Sequence, residues 1–338
     1  MQLRLHTFDL PLRHRFTISR ESHSVQPTLI VELEQDGLRG YGEATTNPYY
    51  PNASLDAMRI KLESVRGKLA SFTLDTPEEL WSAFAADFAD APFPQCALDQ
   101  AAHDLWGKLR GQPVWKLWGL KLDNPPLSNY TIGIDELEVM VAKLREFADW
   151  PIFKIKLGTD RDVEIVRRLR HETQAVFRVD ANCAWSPEET LRNADALAEL
   201  NVEFIEQPLP PERHEDYRRI VRHCPLPLIA DESCRGESDV DRCADAFHGI
   251  NIKLVKCGGL TPARRMIARA NELGLKTMVG CMTESTVGIS AIAQLLPLLD
   301  YVDMDGAVLL ASDIATGVRV DRGRALFPDR PGCGVELE

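Results

Sequence analysis

From Ser128 onward one unit repeats, and it constrains the fold more than any other feature: a short apolar run, a loop, then an amphipathic stretch. The runs are NYTIGI (129–134), IFKIKLG (152–158), VFRVDAN (176–182), VEFIEQP (202–208), PLIADES (227–233), INIKLVKCG (250–258), KTMVGCM (276–282) and YVDMDG (301–306). Between them, segments such as DRDVEIVRRLRHE and TPARRMIARANELG carry apolar residues at helical spacing, the second closed by Gly274. Eight alternating strand–helix units predict a parallel sheet, and that number favours closure into a (β/α) barrel of the TIM type over an open sheet.

A polar residue ends each of seven predicted strands: Lys156, Asp180, Glu206, Asp231, Lys256, Cys281 and Asp305, at intervals of 24, 26, 25, 25, 25 and 24 residues. One βα unit returns the chain to the same level, so a near-constant interval puts all seven on one ring. That ring is the C-terminal rim, where barrels carry their active sites. Asp180, Glu206 and Asp231 come from consecutive strands, and like charges 4 Å apart cost about 4 kcal/mol at an effective dielectric of about 20. Taken singly, each carboxylate would pair with a lysine or cap a helix. Three in register call for a hard cation, and an all-oxygen set favours one Mg²⁺ per subunit over zinc. Asn182 and Glu232 adjoin these ligands as supporting groups.

Lys154 and Lys156 alternate with Phe153, Ile155 and Leu157, so both ammonium groups point inward. Burying two cations side by side is costly unless anions receive them. Lys156 and Lys256 lie two strands before and two strands after the middle carboxylate, which is opposite sides of the mouth. Lys154 is expected to lower the Lys156 pKa and to bind a substrate or ligand oxygen. Two opposed bases beside a cation suit removal of a proton from the carbon next to a carboxylate and its return to the other face.

The K-I-K, D-A-N, E-Q-P, D-E-S and K-C-G motifs, in this order and spacing, resemble the enolase superfamily, and the lysine pair resembles its muconate cycloisomerase-like subgroup. The resemblance covers nearly the whole chain. It implies an α+β capping domain over 1–125, a catalytic barrel over 126–320 and a tail over 321–338 returning to the cap. Residues 1–125 also differ on their own terms, with a hairpin around Gln35-Asp36-Gly37, helical stretches near 53–70, 77–90 and 95–110, and Pro125-Pro126 at the join.

Within the subgroup, Asp303 and Asp305 in YVDMDG and the segment VGCMTES (279–285) resemble the dipeptide epimerases, where an Asp-x-Asp binds the free α-amino group. Arg20, in FTISRES, matches a flap arginine that meets a glutamate side chain, and Tyr49 and Tyr50 would wall a second flap. Cys281 would supply small size and backbone contacts. The implied reaction is epimerisation of a dipeptide at its second residue, L-Ala-D/L-Glu from cell-wall peptide turnover being the first expectation. An o-succinylbenzoate synthase or N-succinylamino acid racemase is the alternative, then a muconate cycloisomerase; these leave the two aspartates without a role. A non-catalytic barrel binding an amino compound would not need two bases.

A net charge of −12 argues against nucleic acid or an anionic membrane surface as a partner and leaves a small-molecule substrate. Eight cysteines without a CxxC pair read as reduced thiols, and MQLRLHTFDLPLRHRF is too charged for a signal peptide, so a cytoplasmic location is expected. The oligomeric state, including a homo-oligomer, stays open. His103 reads as a core residue, Gly258-Gly259 as a tight turn, and no P-loop, G-x-S-x-G or G-x-G-x-x-G is present.

Overall fold

The computed structural model describes residues 1–18 and 22–338. Three antiparallel strands come first, β1 (Gln2–Thr17), β2 (Ser22–Gln35) and β3 (Leu38–Thr45). Asp36 and Gly37 join β2 to β3 with φ of 55° and 78°. Two successive positive φ values are what a tight hairpin of right-handed twist requires, and an Asp-Gly pair tolerates them. The long helix Pro92–Leu109 packs on β3 so closely that a Cβ at Gly42 would stand 2.1 Å from the Ala97 carbonyl oxygen.

Eight parallel strands follow: β4 (Tyr130–Ile132), β5 (Ile152–Lys156), β6 (Val176–Asp180), β7 (Val202–Glu206), β8 (Leu228–Ala230), β9 (Gly249–Ile252), β10 (Lys276–Gly280) and β11 (Tyr301–Asp303). They pair in sequence order, and a parallel bridge between Ser128 and Val302 brings the first strand to the last. The sheet is thus a nearly closed barrel. Phe153, Ile155, Phe177 and Val179 face outward and are fully buried under helices. In the helix Leu260–Glu272 the buried residues include Ala263, Met266, Ile267 and Ala270, one stripe at i, i+3, i+4 and i+7.

Cap and barrel are joined by buried polar contacts. Glu43 on β3 accepts hydrogen bonds from Thr28 Oγ1 (2.8 Å), Ser285 Oγ (2.6 Å) and Gly288 N (2.9 Å), so a cap carboxylate sits at the N-terminus of the barrel helix Thr286–Ala293. Asp99 on the long helix accepts from Thr261 N and Oγ1 at 2.9 and 2.6 Å. The tail packs on the same helix, with Cys333 N donating to Asp104 Oδ1 at 2.8 Å. His103 is fully buried and its Nδ1–H donates to the Asp99 carbonyl at 2.8 Å, a core role as expected. No helix among the described residues is long and apolar enough to cross a membrane.

Candidate active site at the barrel mouth

A cavity of about 420 Å³ opens at the C-terminal ends of the strands, beneath cap residues that include Phe16, Tyr49 and Tyr50. Strand alternation aims its floor. Lys154 pairs with Arg178 and Lys156 with Asp180 across β5 and β6, and Asp180 pairs with Glu206 across β6 and β7. Asp231 follows β8 directly, on a loop held by Gln207, whose Oε1 accepts from Asp231 N at 2.9 Å and Ser233 N at 3.0 Å. Gln207 (φ 36°) and Asn182 (φ 43°) both hold the left-handed conformation, and Asn182 N donates to Asp180 Oδ1 at 2.9 Å. Strained backbone thus stands directly behind two of the three carboxylates.

Asp180, Glu206 and Asp231 are buried, with one oxygen of each lying within 4.8 Å of the others. Burial, then the Asp180 carboxylate, pushes Glu206 up to about 7. Burial opposes ionisation of Asp180 too, but Lys156 and Lys154 hold it down at about 2. Three hard oxygens converging with a charge conflict among them fit a divalent cation. These three residues would hold it.

Around this cluster the lysines are arranged with near symmetry about β7. Lys156 Nζ is 2.6 Å from Asp180 Oδ2, and Lys253 Nζ is 3.2 Å from Asp231 Oδ2. One pleat deeper, Lys154 Nζ is 2.8 Å from Glu206 Oε2 and Asn251 Nδ2 donates to Glu206 Oε1 at 2.9 Å. β5 and β9 are four strands apart in eight, so Lys156 and Lys253 face each other across the mouth.

The second lysine is therefore not the one the 25-residue interval selects. β9 ends at Ile252, and Lys256 lies on a single helical turn, Leu254–Cys257. Its ammonium is spent on Asp231 O (2.5 Å), Asp231 Oδ1 (2.5 Å) and Cys234 O (3.2 Å), which uses its three donors behind the carboxylate cluster. Lys253 lines the cavity and Lys256 does not. The motif N-I-K held the signal, since Asn251 and Lys253 share the inward face of one strand.

Of the two partners expected for Lys154, the structure places it on the carboxylate oxygens of the cluster rather than on a substrate oxygen. Its ammonium is met by Glu206, Asp303 (2.9 Å) and Asp180 (3.3 Å), and its side chain is 1% exposed. No donor is left for a substrate oxygen. Burial works against its charge, but Asp303, Glu206 and Asp180 together raise its pKa well above the ordinary value.

Across the mouth, Asp303 ends β11, taking Lys154 on Oδ2 and Asn129 Nδ2 on Oδ1 at 2.8 Å. Asp305 lies beyond the strand and accepts from Thr131 N on Oδ2 at 2.5 Å. Both line the cavity, yet Asp305 is the one without an ion pair among the described residues. Burial, then Asp303, pushes it up to about 8. Cys281 Sγ is 3.9 Å from Asp305 Oδ1, and burial raises its thiol well above the usual value, so it is no thiolate. Arg20 falls outside the described residues.

A capped parallel barrel with clustered carboxylates and opposed lysines at its mouth is the build of the enolase superfamily, and known proteins of this build are similar along the whole chain. The enolase C-terminal domain-like family matches residues 137–338, and the mandelate racemase/muconate lactonizing enzyme N-terminal domain family matches residues 3–119. The chain belongs to the mandelate racemase/muconate lactonizing enzyme family of that superfamily. An L-Ala-D/L-amino acid epimerase from Maribacter sp. is 56% identical over 100% of this chain and 99% of its own. Another from Flavobacterium johnsoniae is 52% identical over 100% of both. The structure of a dipeptide epimerase from Methylococcus capsulatus, in complex with Mg and the dipeptide L-Arg-D-Lys, matches with a TM-score of 0.92 and 34% identity over 99% of this chain and 98% of that one.

Proposed function

We propose that the protein is a dipeptide epimerase that inverts the α-carbon of the second residue, with Lys156 and Lys253 as the two bases and Asp180, Glu206 and Asp231 as the ligands of Mg²⁺. The observation that carries this reading is the placement of the two lysines on opposite strands, each beside an outer carboxylate of one cluster. When bound, the cation supplies positive charge that stabilises the enediolate left as the α-proton departs. The neutral lysine takes that proton with the C–H electrons remaining on the substrate, and the protonated lysine across the mouth delivers its own to the other face. Lys154 and Asn251 hold Glu206 in place, and Lys256 holds Asp231.

Asp305 supports a substrate with a free ammonium group, since a buried carboxyl group with no ion pair among the described residues can receive one. The relatives' names bring in alanine as the first residue. L-Ala-D/L-Glu, with cell-wall peptides as its source and the cytoplasm as its place, is the finer form of the same proposal.

Deuterium oxide tests the assignment of bases. Lys156→Ala and Lys253→Ala, each shown to bind Mg²⁺, should stop net epimerisation, and each should still exchange the α-proton of one epimer only, a different one in each. Lys256→Met should be slowed but should still exchange both. If Lys256→Met loses exchange of one epimer while Lys253→Ala keeps both, Lys256 is the base and the assignment is wrong.

A further inference from the structure

Four lysine and arginine side chains among the described residues line the cavity: Lys154, Lys156, Lys253 and Arg235. The three lysines are each paired with carboxylates at 3.2 Å or less. Arg235 has no ion pair among the described residues. Its Nε donates to the Glu232 carbonyl at 3.3 Å, and its guanidinium lies 5.5 Å from the centre of the Tyr50 ring. Its backbone is fixed, because Arg235 N and Gly236 N both donate to Asp239 Oδ2, at 2.8 and 3.1 Å. Tyr50 is fixed in turn, its ring 5.3 Å from that of Phe93. A guanidinium with both terminal nitrogens uncommitted, on a firm base at the rim of a site, is built to take a planar anion in bidentate fashion.

The direction of the substrate says which anion, and this step rests on the reaction proposed above. In a planar enediolate the two lysines occupy the two faces. The carboxylate group lies toward Asp180, Glu206 and Asp231, and the amide nitrogen leads toward β11 and Asp305. One in-plane direction axis remains, and its inner end is closed by Lys154, Arg178, Asn129 and Asn251, all buried. The side chain of the inverted residue must therefore point out of the barrel, toward an outer lining that includes Phe16, Tyr49, Tyr50 and Arg235, of which Arg235 alone is a cation among the described residues. We infer that Arg235 is a specificity-determining residue that pairs with a carboxylate on this side chain, making the preferred substrates dipeptides with an acidic second residue.

The test compares L-Ala-L-Glu with its uncharged isostere L-Ala-L-Gln on the Mg²⁺-loaded enzyme, by kcat/KM and by calorimetric binding. The wild type should favour Glu. Arg235→Met, which keeps an apolar stem against Tyr50, should lose about 10- to 100-fold of the Glu/Gln ratio, and Arg235→Lys should restore part of it. A ratio unchanged in Arg235→Met, with both substrates weakened alike, would mean that Arg235 only supports the flap, and a wild type indifferent to the charge would also overturn the inference. Exchange of the α-proton of L-Ala-L-Gln reports separately on the reaction. If no dipeptide exchanges, the reaction is misread, and the ratio of binding constants alone still decides the role of Arg235.

Discussion

Two acidic clusters face each other across the barrel mouth, built from nearly the same groups and brought to opposite states. Asp180, Glu206 and Asp231 form one; Cys281, Asp303 and Asp305 form the other; in each, three ligand atoms lie within 4.8 Å of one another. Both are buried, so burial raises every carboxyl in them. What separates them is the supply of cations from β5 and from the end of β9. Lys253 and Lys256 overcome burial at Asp231 and pull it below the usual carboxylate range, as Lys156 and Lys154 do at Asp180. Asp303 receives Lys154 and is likewise lowered, but among the described residues Asp305 receives only neutral donors, and it rises to about 8. The first cluster keeps two standing anions on either side of a raised Glu206, a charge conflict suited to a metal, and the second keeps one place for a cation to be filled by a ligand. Lys154 touches both and sets their boundary.

The largest effect that tests this contrast is loss of the metal site. Asp231→Asn, or chelation, should lower turnover by more than about 100-fold, the loss that altering even an outer partner of a metal ligand brings. Added Mg²⁺ should restore the chelated wild type and not the variant. Mg²⁺ titrated calorimetrically into Asp305→Asn should bind as in the wild type. A variant at Asp305 that loses Mg²⁺ would mean that the two clusters are one site.

Next in size is the loss of an ammonium partner. Asp305→Asn keeps the shape and the hydrogen bond from Thr131 but removes the charge, and should raise KM for dipeptides by about 10- to 100-fold, the worth of a charged hydrogen bond. N-acetylated dipeptides should be poor substrates of the wild type and should be discriminated far less by the variant. Equal use of free and acetylated dipeptides by the wild type would return the succinyl-compound reading.

The contrast also marks how far the chain could be read without coordinates. Strand period and helical stripes are local, so all eight barrel strands and the inward carboxylates were legible, as was Lys156. Lys256 was misplaced because a fixed interval assumes that every loop leaves its strand alike. The chain leaves β9 early, so the inward lysine comes 22 residues after Asp231 rather than 25. The saturation of Lys154 by three carboxylates depends on where two other strands end, which spacing does not resolve. Glu43, joined to Ser285 across 242 residues, and the free guanidinium of Arg235 are products of the cap meeting the barrel, and no local pattern records that meeting.

The smallest and sharpest expected effect is a proton. In the empty site the Asp305 carboxyl is held up to about 8 by burial and by Asp303, so near pH 7 it carries a proton. The dipeptide's α-amino group has a pKa of about 8 and arrives there as an ammonium. The bound pair is carboxylate with ammonium, so binding at pH 7 must expel the Asp305 proton. Falling pH opposes that release, and dipeptide affinity should weaken by up to about tenfold per unit below pH 8. Above pH 8 the free amine has lost its proton, binding must take one up, and affinity should weaken again. The optimum therefore lies near pH 8, and calorimetry in buffers of different ionisation enthalpy should count nearly one proton released at pH 7 and net uptake at pH 9. Asp305→Asn should abolish the acidic limb and keep the alkaline one, because the alkaline limb belongs to the ligand. Asp180 and Asp231, held low by their lysines, contribute no limb near neutrality, and Glu206, raised to about 7 within the cluster, is kept ionised by titrating at saturating Mg²⁺. A count of zero protons at pH 7 would show Asp305 already ionised in the empty site, and the distinction between the two clusters would then rest on geometry alone.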